Sequence, residues 1–261
     1  MNWIDALILG LVQGLTEFLP VSSSGHLEIG KVLLGNDLKE NLIFTIVVHG
    51  ATVLSTIVVF FHEIFKLLKQ SLSFVYNNST KYVIKLIISM LPVLFVGLFY
   101  KDRVSSLFDG NLIFVGSMLI ITSLILALTR LIKTEGKREI SYLDALIIGI
   151  VQAIAVIPGI SRSGSTISAG ILLGIKREDV AKFSFLMVLV PVIGANLIDI
   201  LGTDSSTANG PGLIVLTSGF IAAFISGLFA CRWMINLVKK GNLIYFSIYC
   251  LLLGITAIIF A

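Results

Sequence analysis

The sequence predicts an all-α integral membrane protein, built from six transmembrane helices and two re-entrant helical hairpins in an inverted-topology repeat. Hydrophobic residues make up 56% of its 261 residues and charged residues 13%, whereas a soluble domain has about 25% charged residues. The charges lie in short gaps between apolar runs of about 20 residues, the length that a helix needs to cross a bilayer. A segment near the start recurs in the second half, which is typical of duplicated membrane folds.

The recurring segment defines two repeats. Residues 5–13 return as residues 144–152 with two exchanges between leucine and isoleucine, at an offset of 139. Lipid alone would not select shared aspartate, glutamine, serine and glycine positions, so we interpret residues 1–139 and 140–261 as repeats within one membrane domain. At the same offset three further pairs of residues align, namely Ser22 with Ser161, Ser24 with Ser163 and Gly25 with Gly164.

Six apolar runs are predicted to cross the membrane as helices. A transmembrane β-barrel is not expected, because its strands would show alternating segments of about 10 residues. We also expect no cleaved signal peptide, because the first apolar stretch lacks a basic start and carries Asp5, Gln13 and Glu17. The six predicted spans are residues 42–61, 82–100, 112–131, 180–201, 213–231 and 243–259.

Two further apolar segments, residues 2–35 and 141–175, are predicted to be re-entrant hairpins. Each has an apolar arm of about 15 residues, a polar stretch rich in serine, glycine and proline, and a second arm of about 10 residues. A helix of 15 residues covers roughly 22 Å, which is too short to cross the bilayer comfortably. The polar stretch would leave backbone groups without partners in lipid, so each hairpin should be enclosed by protein.

The loop charges predict the orientation of the spans. Loops 62–81, 130–139 and 232–240 carry an excess of lysine and arginine and should be cytoplasmic, while loops 101–110 and 202–212 should lie outside. The six spans can alternate in direction across the membrane only if each hairpin returns to the side from which it enters, the first from outside and the second from inside. The two repeats then run in opposite directions, and their hairpin tips converge near the middle of the bilayer.

The basic charge balance does not indicate a nucleic-acid partner. The net charge is +4 and the pI about 9.1, but the sequence has no long basic block, and basic cytoplasmic loops account for the excess. Cys231 and Cys250 lie in apolar runs without metal-type spacing. We therefore expect packing or lipid-facing roles for them, and no disulfide.

The tip of the first hairpin, residues 13–26, carries a carboxylate within the membrane-embedded region. Gln13 and Glu17 are four residues apart, so both side chains face the same side of the first arm and can reach one ligand. A carboxylate in this region is costly unless it is paired, which makes Glu17 a candidate functional residue. The alternative is a structural ion pair between helices, for instance with Arg162.

Hydroxyl groups and an imidazole follow in the same tip. Ser22, Ser23, Ser24 and Gly25 lead into the second arm, either as ordinary helix caps or as part of an anion site at its N-terminus. His26 comes directly after them and can serve as a nucleophile, a proton shuttle or a metal ligand.

The tip of the second hairpin, residues 158–166, has the donors that a phosphate group requires. Arg162 lies between Ser161 and Ser163 at the start of another predicted arm and is followed by Gly164 and Thr166. A guanidinium fork, hydroxyls and main-chain amides together can bind a phosphate. The tip lacks the Gly-Lys-Ser/Thr ending of a P-loop, so nucleotide hydrolysis is not expected. Together the two tips favour a lipid-borne phosphate as the ligand.

Polar residues within the predicted spans are weaker candidates. His49, Asn196 and Asp199 each lie inside a span. We interpret all three as helix-pairing contacts.

The two tips resemble the motifs of a known family. Residues 13–26 and 158–166 closely resemble those of the bacterial undecaprenyl diphosphate phosphatases, also called bacitracin-resistance proteins, and the resemblance covers essentially the whole chain. It implies an enzyme that converts the isoprenyl diphosphate carrier lipid into its monophosphate at the outer side of the cytoplasmic membrane. It also implies recycling of the carrier for peptidoglycan synthesis, bacitracin resistance and the use of a divalent cation, Mg²⁺ or Ca²⁺.

The resemblance also implies roles for individual residues. The family's important positions fall on Glu17, Ser23, His26, Ser161, Arg162 and Thr166, with Gln13 where the family has glutamate or glutamine. Glu17 would hold the cation, with Gln13 as a further candidate ligand, and Arg162 and the hydroxyls would neutralise the phosphates. The attacking group stays open between His26, Ser23 with His26 as base, and a metal-bound water.

A polyprenyl-phosphate transporter or flippase is the alternative function. Inverted repeats whose broken helices meet at the bilayer midplane are typical of secondary transporters. In either case the expected partners are the isoprenyl diphosphate lipid and the surrounding membrane lipid. Assembly as a homodimer is left open.

Cysteine labelling tests the predicted orientation. Asp204→Cys should react with a membrane-impermeant maleimide added outside the membrane, and Lys137→Cys only after the membrane is opened, because the two loops are predicted on opposite sides. The unsubstituted chain, with Cys231 and Cys250, sets the background. Equal labelling of both variants from one side would contradict the orientation.

Overall fold

The fold is all-helical, as predicted. A computed structural model describes the chain in five ranges, and within them the β-type pairing is limited to one bridge between Arg138 and Ile175. Parts of the predicted loops at 130–139 and 202–212, including Asp204, lie outside the described residues, as does the end of the first predicted hairpin. The described ranges are 1–33, 42–73, 75–132, 136–202 and 211–261.

Thirteen α-helices are formed by the described residues. A 3₁₀ turn, Thr129–Leu131, extends the seventh. In chain order the helices are α1 Trp3–Phe18, α2 Ser23–Leu33, α3 Leu42–Val59, α4 Phe61–Ser71, α5 Asn78–Phe99, α6 Lys101–Ser105, α7 Leu112–Leu128, α8 Tyr142–Ile154, α9 Arg162–Leu172, α10 Arg177–Met187, α11 Leu189–Gly202, α12 Leu213–Lys240 and α13 Ile244–Ile259.

Several helices are suited to cross a membrane. Within the described ranges four are long and apolar enough, namely α5, α7 with its 3₁₀ turn, α10 and α11 taken together, and α12. The number rises to five if the bent pair of α3 and α4 forms one span. The last predicted span, 243–259, is an apolar helix of 16 residues, α13. The prediction of a multi-pass helical chain is therefore confirmed, while helix length alone does not give six spans.

Three predicted boundaries are wrong. The helix predicted over 42–61 ends at Val59, where the chain bends by 75° into α4. The predicted loop 62–81 is therefore largely helical, and so is the predicted loop 232–240, because α12 continues to Lys240. Charged residues do not end a helix, since their long stems can reach away from it. Gly241, whose φ of 73° is left-handed, is what ends α12.

The repeated aspartates are helix caps. Asn2 and Asp5 form a capping box at the start of α1, and Ser141 and Asp144 form the same box at the start of α8. In each box the side chain of the cap residue accepts from the main-chain amide of the aspartate, and the aspartate side chain accepts from the main-chain amide of the cap residue. Asp144 also accepts a hydrogen bond from Arg138 at 2.9 Å. The likeness at this position therefore reflects helix initiation.

Close helix packing explains another repeated residue. Helix α1 packs mainly along α12, and α8 packs mainly along α5. At the 139-residue offset Gly10 of α1 aligns with Gly149 of α8, and both face backbone of the partner helix. A Cβ on Gly149 would lie 2.8 Å from Ser89 Cα, and one on Gly10 would lie 3.0 Å from Gly219 Cα. Only glycine allows these approaches.

Alanine substitutions test this packing. Gly10→Ala and Gly149→Ala should each lower the melting temperature in detergent, because the new methyl meets backbone that cannot rotate away; overpacking typically costs about 1–3 kcal/mol. Gly194→Ala in α11 is the matched control, since no atom lies within 4 Å of its added Cβ. It should be neutral or slightly stabilising. Similar losses at all three positions would contradict the packing.

Candidate active site

The tips of the two hairpins lie in contact. Arg162 of the second tip forms an ion pair with Glu17 of the first, through Nη2 and Oε1. The hydroxyl of Ser163 donates to the carbonyl oxygen of Leu19 at 3.2 Å. The α2 and second-tip backbones also approach closely, since a Cβ on Gly25 would lie 3.3 Å from the Cα of Gly159. Residues of both repeats therefore build one site.

Serine side chains cap the second arm of each hairpin. Ser22 has a φ of 68°, a left-handed conformation that is uncommon outside glycine and that clusters at functional sites. Its hydroxyl oxygen accepts from the amide of Gly25 at 3.2 Å, and Ser161 caps α9 in the same way by accepting from Gly164 at 3.1 Å. Both serines thus act as N-caps.

Glu17 is the centre of the hydrogen-bond network. Its Oε2 accepts from the hydroxyl of Ser23 at 2.7 Å and from the amide nitrogen of Gln13 at 3.0 Å. Its Oε1 accepts from Arg162. The side chains of Arg162 and Glu17 are 20% and 11% exposed. Both charges therefore lie largely out of solvent, where each is compensated by the other. A nucleophile and a base within hydrogen-bonding reach, with the base oriented by further groups, is the arrangement used in covalent catalysis.

His26 is held by partners on both ring nitrogens. Nδ1 lies 2.8 Å from the carbonyl oxygen of Ser22, and Nε2 lies 2.7 Å from the hydroxyl of Tyr249. The two rings are stacked, with centroids 5.6 Å apart. Because a carbonyl can only accept, Nδ1 carries the hydrogen, and in the neutral ring Nε2 accepts from Tyr249. His26 therefore braces the start of α2 against α13.

A cavity of about 490 Å³ opens over the Glu17 cluster. Its polar part comes from both tips, and its walls are largely apolar residues of α5 and α11. Five predicted residues are not part of its lining, namely Gln13, Gly25, His26, Gly164 and Thr166. Seven predicted residues line it, namely Glu17, Ser22, Ser23, Ser24, Ser161, Arg162 and Ser163.

The predicted residues outside the cavity support those inside it. Gln13 is fully buried and donates to Glu17. The hydroxyl of Thr166, also fully buried, donates to the carbonyl oxygen of Arg162 at 2.9 Å and lies 2.6 Å from the hydroxyl of Ser184. Gly25 and Gly164 allow the tips to approach. These residues therefore support the side chains that line the cavity.

The cavity lining includes residues that sequence reasoning assigned to helix pairing or did not single out. His49, Asn196 and Asp199 all line the cavity. Asn196 and Asp199 do also pair helices, since Asp199 binds Lys101 at 2.8 Å and Asn196 lies 3.5 Å from the Ile46 carbonyl oxygen. Their position as polar residues in apolar spans was the available signal. Gln152 and Glu28, which were not singled out as site residues, line the cavity as well.

The donor set fits a cation only in part. Among the described residues no group of three or more histidine, cysteine, aspartate or glutamate side chains could enclose a metal. Mg²⁺, however, is usually held by one or two carboxylates together with phosphate oxygens of the substrate. Glu17, at the cavity, can supply such a carboxylate. The residues therefore suit a cation held jointly with a phosphate, and not a closed protein cage.

Comparison with known proteins places the chain in a family. Residues 6–256 match the family model of the bacitracin resistance protein BacA. The chain belongs to the BacA family. Relatives named undecaprenyl-diphosphatase include one from Parabacteroides distasonis, 52% identical over 99% of this chain and 98% of the relative. Another from Bacteroides fragilis is 51% identical over the same shares, and one from Carboxydothermus hydrogenoformans is 40% identical over 99% and 97%. The predicted family resemblance is confirmed.

A double-mutant cycle tests whether the buried ion pair joins the tips of this BacA-family chain. Glu17→Gln or Arg162→Gln should each lower the free energy of unfolding by about 3–5 kcal/mol, because one charge is left unpaired in the interior. The double variant should cost clearly less than the sum of the two single changes.

Glu178→Gln is the matched control, because its ion pair with Lys239 is exposed and such pairs contribute little. Chemical unfolding in detergent supplies the measurement. Additive effects of Glu17→Gln and Arg162→Gln would mean that the two side chains are not coupled.

Proposed function

We propose that this BacA-family protein is an undecaprenyl-diphosphatase, which hydrolyses the lipid diphosphate to the lipid monophosphate and inorganic phosphate. The observation that carries the proposal is the cluster of Ser23, Glu17 and Arg162 in one cavity, which combines a nucleophile, a base and a phosphate clamp. Full-length similarity to relatives that bear this name supports it.

The shape of the cavity suits a lipid with a charged end. Along α11 its lining extends from Pro191 to Asp199, which is about 12 Å of helix. Most of the neighbouring lining residues of α5 are apolar, for example Val93 and Leu98. The diphosphate can therefore lie at Arg162 while the first isoprene units follow apolar walls.

The geometry favours Ser23 as the attacking group. As the Ser23 oxygen bonds to the terminal phosphorus, its proton passes to Glu17, which already accepts the hydrogen bond. The bond from that phosphorus to the bridging oxygen breaks, and the lipid monophosphate leaves with this oxygen. Water then hydrolyses phospho-Ser23 to release phosphate. His26 is a poorer attacker, because both its ring nitrogens already have partners.

Arg162 and a divalent cation would neutralise the phosphates. One Arg162 nitrogen binds Glu17, and the guanidinium has further N–H donors for phosphate oxygens. The cation, Mg²⁺ or Ca²⁺, would be held by the phosphate oxygens of the substrate and by Glu17 through water, since Glu17 is the proposed proton acceptor, and would supply charge neutralisation. Gln13 would then act by orienting Glu17, to which it donates.

The proposed membrane arrangement has six spans and two re-entrant hairpins in an inverted repeat, with the cavity open to the outer side of the cytoplasmic membrane. The cross-packing of α1 with α12 and of α8 with α5 supports it, because at the 139-residue offset α5 corresponds to residues 217–238, within α12. In this arrangement the enzyme would return the carrier lipid to peptidoglycan synthesis and confer bacitracin resistance.

Phosphate release by purified protein separates the enzyme from a transporter. In detergent with Mg²⁺ no compartments exist, so only hydrolysis can produce a signal. The wild type should release phosphate from a long-chain prenyl diphosphate, and EDTA should stop the release. Ser23→Ala and Arg162→Ala should lose at least about 100-fold in kcat, since each removes a group that acts in the transition state.

Ser73→Ala is the matched serine control, because Ser73 lies two residues after the end of α4 and outside the cavity. It should keep the wild-type rate. If the wild type releases no phosphate in detergent yet moves the lipid between leaflets of liposomes, the protein is a flippase and the proposal is wrong.

A further inference from the structure

One of the three histidines of the chain lies in the cavity wall. On α3 the cavity-lining residues Thr45, Ile46 and His49 share one face. His26 is engaged with Ser22 and Tyr249, and His62 belongs to α4, none of whose described residues lines the cavity. The imidazole that faces the cavity is therefore that of His49.

The hydrogen-bond partner of His49 defines its tautomer. Nδ1 lies 2.9 Å from the main-chain carbonyl oxygen of Thr45. Because this oxygen can only accept, Nδ1 carries the hydrogen, and the lone pair of the neutral ring is on Nε2. Nε2 makes no hydrogen bond to any residue within the described ranges. His49 thus presents an oriented proton acceptor to the cavity.

Hydrolysis of phospho-Ser23 requires a second proton acceptor after the first half of the reaction. Glu17 receives the proton of Ser23, to which it is hydrogen-bonded at 2.7 Å, and its other oxygen is engaged by Arg162. A protonated Glu17 cannot take a further proton when water attacks phospho-Ser23. Glu17, Ser23 and His49 line the same cavity, so a water molecule that attacks phospho-Ser23 from this cavity enters on the side that the His49 ring faces.

We propose that His49 is the base of the second half-reaction, a role that rests on the proposed function and on Ser23 as nucleophile. Water forms a bond to phosphorus and gives one proton to Nε2 of His49, while the bond between phosphorus and the Ser23 oxygen breaks. The Ser23 oxygen takes back the proton held by Glu17. The products are inorganic phosphate, the Ser23 hydroxyl and the Glu17 carboxylate, and His49 releases its proton to water.

Trapping the phosphoenzyme tests this role. Wild type and His49→Ala are mixed with prenyl diphosphate labelled in the terminal phosphate and quenched in acid, and the label is mapped by mass spectrometry. His49→Ala should reach phosphorylation of Ser23 close to one per chain, while steady-state phosphate release falls by about 10²–10⁴-fold, the usual contribution of a general base. Added imidazole should speed loss of the label.

Control variants separate this role from a structural one. His62→Ala should behave as wild type, and His26→Ala should gain nothing from imidazole. If His49→Ala does not fold, His49→Gln, which keeps polarity and similar size, should still accumulate phospho-Ser23.

The outcomes distinguish the inference from the proposed function. If the wild type releases phosphate but His49→Ala turns over as fast, or slows without accumulating phospho-Ser23, the inference on His49 is wrong and the phosphatase stands. If Ser23→Ala stays active and no variant carries label on Ser23, the proposed nucleophile is wrong and the role of His49 with it. If the wild type releases no phosphate, the proposed function itself is wrong.

Discussion

The ion pair between Glu17 and Arg162 is the contact on which the rest of the site depends. Each charge comes from a different hairpin, and each is largely removed from solvent. Neither could remain charged in apolar surroundings by itself, so separating the two tips would leave an uncompensated charge on each of them. The same contact accompanies the hydrogen bond of Glu17 to Ser23 and the position of the Arg162 guanidinium at the cavity. The interaction that keeps the tips in place is thus also the one that assembles the chemistry.

The two repeats share their scaffold and differ where they react. The shared residues have the same structural role in both repeats. Asp5 and Asp144 complete capping boxes, and Gly10 and Gly149 allow close helix approach. At the divergent positions the second copy has Val156, Arg162 and Ser165 where the first has Glu17, Ser23 and His26. The two arms are thus similar in sequence and differ at their tips, and in the proposed mechanism one tip carries the base and the nucleophile and the other the phosphate clamp.

Some features of the molecule followed directly from the sequence. Hydropathy and charge predicted the all-helical membrane chain. The cost of a charge in apolar surroundings singled out Glu17, and the set of phosphate donors in the second tip singled out Arg162. The alternative that the sequence left open for Glu17, an ion pair with Arg162, is present in the structure together with its contact to Ser23. Ser22 is a cap, which is one of its two predicted roles. Ser161, predicted as a phosphate donor, also caps a helix.

Other features depend on tertiary packing, which periodicity does not reveal. The sequence indicates that His26 and His49 lie in helices but not what each ring faces. Tyr249, distant in sequence, occupies one nitrogen of His26, while His49 of α3 turns towards the cavity. The bend after Val59 and the continuation of α12 to Lys240 likewise follow from local geometry that hydropathy does not encode. Residues whose role is set by a distant neighbour are those that sequence reasoning assigned least well.

The central claim is that both hairpin tips jointly hold one phosphate. An experimental structure of the protein with orthovanadate, a mimic of the phosphoryl group in transfer, tests it most directly. We expect vanadate in the cavity, bonded to or in line with the Ser23 oxygen and contacted by the Arg162 guanidinium, with Glu17 still beside both. Vanadate bound away from Ser23, or hairpin tips separated with Glu17 and Arg162 apart, would contradict the account.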